Sequence, residues 1–273
     1  MVNRNHNLKF DKLYYISSIF VLIYLGIILV PILRTLLFTS INGLVQDSKS
    51  GIIQSIELTY LMAFIVAIIS VVFAIPYTYF ISRSPHPFFK FVDSIIELPI
   101  MIPHTVVGII MLLTFEPSMP LGSLISKIYP NYRFDDTFFA VIVTLLFLAS
   151  AYSIRTIQVS YTKNAIEYEN MARSFGYKPL EAFMLVSVPF MWRSILRGMA
   201  LTWARSISEV GSMLIVAYYI LPSFTHLVGV FIYSQFIGNG LIPAAESSSI
   251  LIITGLLTLL ILKILEGKDA SYY

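Results

Sequence analysis

The chain has 273 residues, of which 57% are hydrophobic and 12% are charged, and its formal net charge at pH 7 is +3. A soluble domain carries about 25% charged residues, so this composition excludes an ordinary soluble protein and indicates a polytopic membrane protein. The small net charge gives no support to nucleic-acid binding, and the absence of cysteine excludes disulfides, thiol nucleophiles and cysteine-ligated metals.

Six apolar runs are long enough to cross a bilayer as helices. Helices are expected because every backbone polar group in lipid must be bonded within its own segment, and no short alternating segments of the β-barrel kind occur. The first run is far longer than the apolar core of a signal peptide, so we expect it to remain as a span. The sequence predicts an all-α polytopic membrane protein with one transmembrane domain, 1–273, and spans at 14–38, 56–81, 92–115, 137–159, 194–218 and 247–266.

Lys and Arg are unevenly distributed between the loops that these spans define. If the N-terminus is cytoplasmic, eleven of these residues lie in inner segments and three in outer segments. Cytoplasmic loops carry an excess of Lys and Arg, so both termini are predicted to be cytoplasmic. The long inner loop, 160–193, then faces the compartment that contains ATP, and the aromatic outer loop 219–246 is expected to form a structured extracellular lid.

Span three contains two prolines, Pro99 and Pro103, and the second is followed by His104 and Thr105. Proline inside a helix removes a hydrogen bond and clashes with the preceding turn, so a bend or break is predicted here. Irregular backbone at membrane depth is tolerated mainly where it is buried in protein or lines a cavity. Pro103, His104 and Thr105 are therefore candidates for a gate or pathway element. A structural kink, whose histidine bonds a freed carbonyl, is the alternative.

The loop 160–193 has the local signals of two short helices joined by a glycine. Gly176 is the residue type expected in the left-handed conformation that ends a helix. Pro179 suits the first turn of the next helix, and Glu181 lies near its positive end. The sequence thus predicts a rigid helix–Gly–helix element, although a plain connector on the membrane surface would have the same signals.

Span five contains Arg205 and Glu209, predicted one helical turn apart on one face. An ionisable side chain at the centre of a span costs at least about 2.5–3.5 kcal/mol on insertion scales. The presence of such a pair therefore indicates a structural or functional role. Ser208 and Gly211 make the surroundings small and polar. The pair is either an ion pair that locks the bundle, or part of a face that lines a translocation path or contacts a second subunit.

The sequence contains no G-x-x-x-x-G-K-[ST] motif, so this chain cannot hold ATP phosphates in the usual way. No grouping of His and carboxylates has metal-ligand spacing, and no nucleophile is paired with a base. We therefore predict that the chain is not an enzyme and binds no cofactor, and that any chemistry belongs to a partner.

The loop 160–193 resembles the signature loop of the permease subunits of ATP-binding-cassette (ABC) importers. In that pattern Glu-Ala-Ala is followed by three residues, Gly, nine residues, Ile, one residue and Leu-Pro. Ala172, Gly176 and Pro189 match it, and Val186 and Val188 are apolar replacements.

The Glu-Ala-Ala triplet itself is altered, because Asn170 and Met171 stand at its first two positions and the acidic residue is one place earlier. In the family this loop is the coupling helix, which docks in a groove of a separate ATPase subunit. The resemblance therefore implies a coupling role for eight residues: Glu169, Asn170, Met171, Ala172, Arg173, Gly176, Val186 and Pro189.

Two further segments, ELPIMIPHTVVGI (97–109) and WARSISEVGSMLIVAYY (203–219), are similar to the molybdate/tungstate and sulfate branch of these permeases. The resemblance implies a type I importer permease core in a prokaryotic cell membrane, working by alternating access. The implied partners are a second permease copy, two ATPase subunits that bind ATP and Mg, and an external oxyanion-binding protein. The candidates for a path or gate, chosen from their positions inside the predicted spans, are Pro103, His104, Thr105, Arg205, Ser208, Glu209 and Gly211.

Coupling to ATP hydrolysis suits an oxyanion cargo such as tungstate or molybdate. Moving a dianion inward against an inside-negative potential of 100 mV costs about 4.6 kcal/mol. A sulfate, thiosulfate or other solute permease of the same fold is the alternative within the class. Outside it, the alternatives are an ATP-independent secondary transporter or channel and a non-transporting assembly or sensor protein. Neither of these requires a helix–Gly–helix loop.

Overall fold

The computed structural model describes residues 12–40, 43–45, 50–84, 86–161 and 163–266. Nearly all of them are helical, and the described residues contain no strand beyond an isolated bridge between Ile220 and Thr225. The predicted all-α class is therefore confirmed. The chain ends that were predicted to be cytoplasmic, 1–11 and 267–273, lie outside the described residues.

The helices are named here in chain order. They are α1 Lys12–Phe38, α2 Ile52–Arg83, α3 Pro87–Ile95, α4 Leu98–Met101, α5 His104–Phe115, α6 Pro120–Ile128, α7 Phe138–Ser160, α8 Lys163–Ser174, α9 Pro179–Ala182, a π-helix Phe183–Ser187, α10 Val188–Ile207, α11 Met213–Val216, α12 Val228–Asn239 and α13 Leu241–Glu266. Among the described residues, five helices are long and apolar enough to cross a membrane, and up to six if the bent pair Pro87–Met101 and His104–Phe115 is one span. The multi-span class that the composition predicted is confirmed.

Span three is not the single helix that 92–115 suggested. The chain bends by 115° between Pro87–Met101 and His104–Phe115. Ile102 has extended backbone angles, φ −79° and ψ 131°, because the ring of Pro103 excludes the helical conformation for the residue before it. The bend that the two prolines predicted is therefore present, and it separates α3 and α4 from α5.

Span five also differs from the prediction, since α10 ends at Ile207 and no helix continues to residue 218. Glu209 explains the ending: one oxygen of its carboxylate accepts from the amide and the hydroxyl of Ser212, at 2.9 and 2.8 Å. A side chain that bonds nearby backbone offers the chain an alternative to the helix. Arg205 therefore lies in the last turn of α10, and Glu209 lies beyond it. The last span, α13, starts at Leu241, earlier than the predicted residue 247.

The chain forms two compact units, one of Met1–Ser50 with Gln235–Tyr273 and one of Gly51–Ser234. In the first unit α1 and α13 are joined by polar contacts. The hydroxyls of Thr39 and Ser249 are 2.7 Å apart, and Ser40 Oγ donates to Glu246 Oε1 at 3.3 Å.

In the second unit α2, α7 and α10 pack against one another. Small and hydroxylated residues line the contacts: Ser70 and Ser153 share a hydrogen bond, and Thr202 Oγ1 donates to the carbonyl of Ala149 at 3.2 Å. Gly198 allows a close approach of α10 to α7, because a Cβ there would lie 3.0 Å from Ser153 Cα. Small residues that let backbones approach are typical of helix packing in membranes.

Gly198→Ala is expected to destabilise the protein by about 1–3 kcal/mol, because the added methyl group meets the backbone of α7 and forces the helices apart. The measurement is a denaturant titration in detergent. Gly255→Ala is the matched control, since nothing lies within 4 Å of a Cβ at that helical position. Equal stability of the two variants would contradict the tight packing of α7 and α10.

Candidate functional site

Three ionisable side chains from two parts of the chain meet where α5 begins and α10 ends. Arg205 Nη2 lies 2.6 Å from His104 Nε2 and donates to Glu209 Oε2 at 3.2 Å, and His104 Nδ1 lies 3.2 Å from the same Glu209 oxygen. We call these residues the His–Arg–Glu cluster. It joins the two candidate regions that the sequence left separate.

Glu209 is the buried member of the cluster, with 1% of its side chain exposed against 43% for His104. Its Oε2 faces Arg205 and His104, while Oε1 accepts both hydrogen bonds from Ser212. A buried carboxylate needs this degree of pairing, because an unpaired buried charge is strongly unfavourable. Glu209 therefore holds the chain beyond α10 and neutralises Arg205.

Glycines bring the broken span against the chain beyond α10. A Cβ at Gly211 would lie 2.9 Å from His104 Cβ, and one at Gly108 would lie 2.9 Å from Ile215 Cβ. Thr105 and Ser208 are exposed beside the cluster, and the hydroxyl of Ser208 accepts from Arg205 Nη1 at 3.3 Å. Two segments of irregular backbone thus face each other with a guanidinium, an imidazole and a hydroxyl between them, groups that can bind an anion.

In the loop 160–193, α8 ends as the glycine predicted. Gly176 has φ +96°, its amide donates to the carbonyl of Arg173 at 3.0 Å, and the amide of Tyr177 donates to the carbonyl of Ala172 at 3.4 Å. This pair of bonds is the Schellman motif. The amide of Lys178 then donates to Glu181 Oε2 at 2.9 Å at the start of α9, so a tight, bonded turn joins the two helices.

The loop's predicted coupling residues divide into an exposed set and an inner set. Asn170, Met171, Arg173, Gly176 and Pro189 are exposed, Ala172 and Val186 are half-buried, and Glu169 is buried. The acidic residue that the resemblance placed with the ATPase contacts is therefore inside the chain. Periodicity could have indicated this, because Glu169 lies four residues after the buried Ala165 on the same face of α8.

The carboxylate of Glu169 accepts hydrogen bonds from Arg83 Nη2 at 2.5 Å and from the hydroxyls of Tyr161 and Ser187, both at 3.0 Å. Burial raises the pKa of Tyr161 to about 12, so its hydroxyl remains a donor at neutral pH. No sequence motif indicated these partners, which come from three separate segments.

Several large apolar side chains of the loop 160–193 are exposed. Phe175 is 85% exposed and Leu180 is 70% exposed, and Met171 and Met184 are exposed as well. Exposed apolar patches on folded elements mark interaction sites for proteins or membranes.

No protein-family model matches the chain. It is similar to the molybdate/tungstate transport system permease protein of Pyrococcus abyssi, with 31% identity over 255 residues, 93% of this chain and 94% of the relative. The corresponding protein of Thermococcus kodakarensis is 33% identical over 168 residues, 62% of each chain. The sulfate transport system permease protein CysT of Salmonella typhimurium is 24% identical over 166 residues, 61% of this chain and 59% of the relative.

Apolar helices that are long enough to cross a membrane define a multi-span membrane protein, in which a charged cluster lies where α5 begins and α10 ends. The similarity to the Pyrococcus abyssi permease over nearly the whole length of the chain identifies the family. The chain belongs to the family of molybdate/tungstate transport system permease proteins, which are permease subunits of ABC importers.

Proposed function

We propose that this chain is the membrane-spanning subunit of an ATP-driven importer of tungstate or molybdate. The observation that carries the proposal is its 31% identity, over 93% of its length, to a permease with that named cargo. The proposed mechanism is alternating access, with no catalytic residue and no bound cofactor on this chain.

Energy would come from partner subunits that bind ATP and Mg and dock on the loop 160–193. The exposed apolar side chains of Phe175 and Leu180 support this proposal, because a short helical element with apolar side chains fits a groove on another protein. We further propose a homodimer of permeases with two ATPase subunits and an external oxyanion-binding protein. Both termini would be cytoplasmic, in a prokaryotic cell membrane.

The His–Arg–Glu cluster is proposed to line the path or its gate. Arg205 and His104 can contact a tetrahedral oxyanion. In the absence of cargo, Glu209 pairs with the guanidinium of Arg205. A carboxylate that competes with the cargo for one guanidinium would weaken the binding of any anion there. Pro103, Thr105, Ser208 and Gly211 complete the segments that face each other here.

Uptake into proteoliposomes tests the function. The reconstituted complex of this chain, its ATPase subunits and its binding protein is expected to accumulate tungstate and molybdate only when ATP is present. The concentration gradient should exceed tenfold, which costs about 1.4 kcal/mol. Uptake without ATP would contradict the proposal and favour a secondary transporter or channel.

Sulfate is the second candidate cargo, favoured by the 24% identity to the Salmonella sulfate permease. Measuring the uptake of sulfate and of tungstate in competition, in the same vesicles, distinguishes the two candidate cargoes. Uptake driven by sulfate-loaded binding protein, with no tungstate uptake, would keep the ATP-driven class and reject the proposed substrate.

A further inference from the structure

Glu169 is unusual for an acidic residue of a predicted cytoplasmic loop, because 1% of its side chain is exposed. Its three hydrogen-bond donors belong to three different elements. Arg83 is the last residue of α2, Tyr161 directly follows α7, and Ser187 ends the π-helix that leads into α10. One carboxylate thereby joins α8 to three segments that continue into membrane-crossing helices.

Aromatic rings hold the cationic partner of this carboxylate. The guanidinium carbon of Arg83 lies 3.9 Å from the ring centroid of Tyr79 and 5.3 Å from that of Tyr161. Phe183, from the π-helix, packs edge-on against Tyr79 with centroids 4.6 Å apart. Charge-assisted hydrogen bonds in such an apolar setting are stronger and more directional than exposed ones, so the junction is rigid.

We propose that Glu169 is a positioning residue, which fixes α8 to the ends of α2, α7 and α10 so that a displacement of the loop moves these helices together. This inference rests on the proposed function, because it states how the movement of the loop reaches the spans. The exposed residues of the loop contact the ATPase, and the buried carboxylate transmits the displacement inward. Without this junction, α8 would be held by apolar packing, including that of Ala165 and Ile166, and more of the movement would be absorbed within the loop.

Glu169→Gln preserves the size of the side chain and removes the charge that pairs with Arg83. In the reconstituted complex, ATP hydrolysis is expected to continue while the tungstate taken up per ATP falls about tenfold, the effect of losing one charge-assisted hydrogen bond. Glu167→Gln is the matched control, since it makes the same change at an exposed position of the same helix. An unchanged ratio of uptake to hydrolysis in Glu169→Gln would overturn the proposal.

A double variant, Arg83→Gln with Glu169→Gln, separates coupling from stability because it leaves no buried charge unpaired. We expect thermal stability in detergent to return towards that of the wild type while uptake per ATP remains low. If uptake per ATP recovers together with stability, the junction is only structural and the proposal is wrong.

Hydrogen exchange in the isolated permease tests the junction without any partner. The amides of residues 165–175 are expected to exchange at least about tenfold faster in Glu169→Gln than in Glu167→Gln, because α8 loses its charge-assisted hydrogen bond to Arg83. Equal exchange would overturn the proposal, even if transport is impaired. Absence of ATP-driven uptake by the wild-type complex would instead contradict the proposed function, so the two failures are distinguishable.

Discussion

Glu209→Ala is expected to lower the free energy of unfolding by about 3–5 kcal/mol, because it removes one partner of a buried ion pair. Arg205 would lose its carboxylate, and the amide of Ser212 would lose its acceptor. A denaturant titration in detergent measures the loss. Asp135→Ala is the matched control: Asp135 pairs with Arg133 at 2.7 Å on the exposed surface, where removal of an ion pair has a much smaller effect. Wild-type stability of Glu209→Ala would contradict the buried pairing.

The double variant Arg205→Gln with Glu209→Gln distinguishes the two roles that the sequence left open for this pair. Neutralising both residues leaves no unpaired charge, so most of the lost stability should return. If the cluster lines the path, oxyanion uptake is expected to remain at least about tenfold below wild type, since the cationic contact is gone. Recovery of uptake together with stability would show that the pair is a structural lock.

Gly176→Pro is expected to abolish coupling to the ATPase while leaving the rest of the protein folded. Proline fixes φ near −65°, whereas Gly176 has φ +96° and its amide donates to the carbonyl of Arg173. The turn between α8 and α9 must therefore rearrange, and the exposed surface around Phe175 changes shape. Stimulation of ATP hydrolysis by tungstate-loaded binding protein should fall about tenfold or more, since backbone strain of this kind costs about 1–3 kcal/mol.

Gly176→Asn is the matched control for this experiment, because asparagine tolerates the left-handed conformation and nothing lies within 4 Å of a Cβ at this position. It should retain most of the stimulation. Equal loss in both variants would mean that the side chain, and not the backbone angle, disturbs the ATPase contact. If stimulation of ATP hydrolysis in Gly176→Pro equals that of the wild type, the loop is a plain connector and not the coupling element.

The membrane class, the helical fold and the turn at Gly176 could all be predicted from the sequence. Each of these features depends on a short stretch of chain. Apolar runs of span length indicate the membrane class, the need to bond every backbone polar group within its segment indicates helices, and a single glycine permits the left-handed turn. The bend near Pro103 was predictable for the same reason, because a proline acts on the residues beside it.

The candidate site was predictable only in part. Arg205 and Glu209 were identifiable as a pair from their spacing, but the end of α10 at Ile207 was not, because it depends on how Glu209 bonds Ser212. His104 was a separate candidate, and the sequence could not place it beside Arg205, 101 residues away.

The same limit applies to Glu169, whose carboxylate meets Arg83 from 86 residues earlier in the chain. The sequence by itself determined that the chain forms several apolar helices of span length and that one of them bends at its prolines, because hydrophobicity and backbone preference act locally. Only the tertiary structure decided which charges meet. A buried charge must be paired, and its partner is whichever opposite charge lies beside it in the packed structure. Tertiary packing brings together residues that are far apart in sequence.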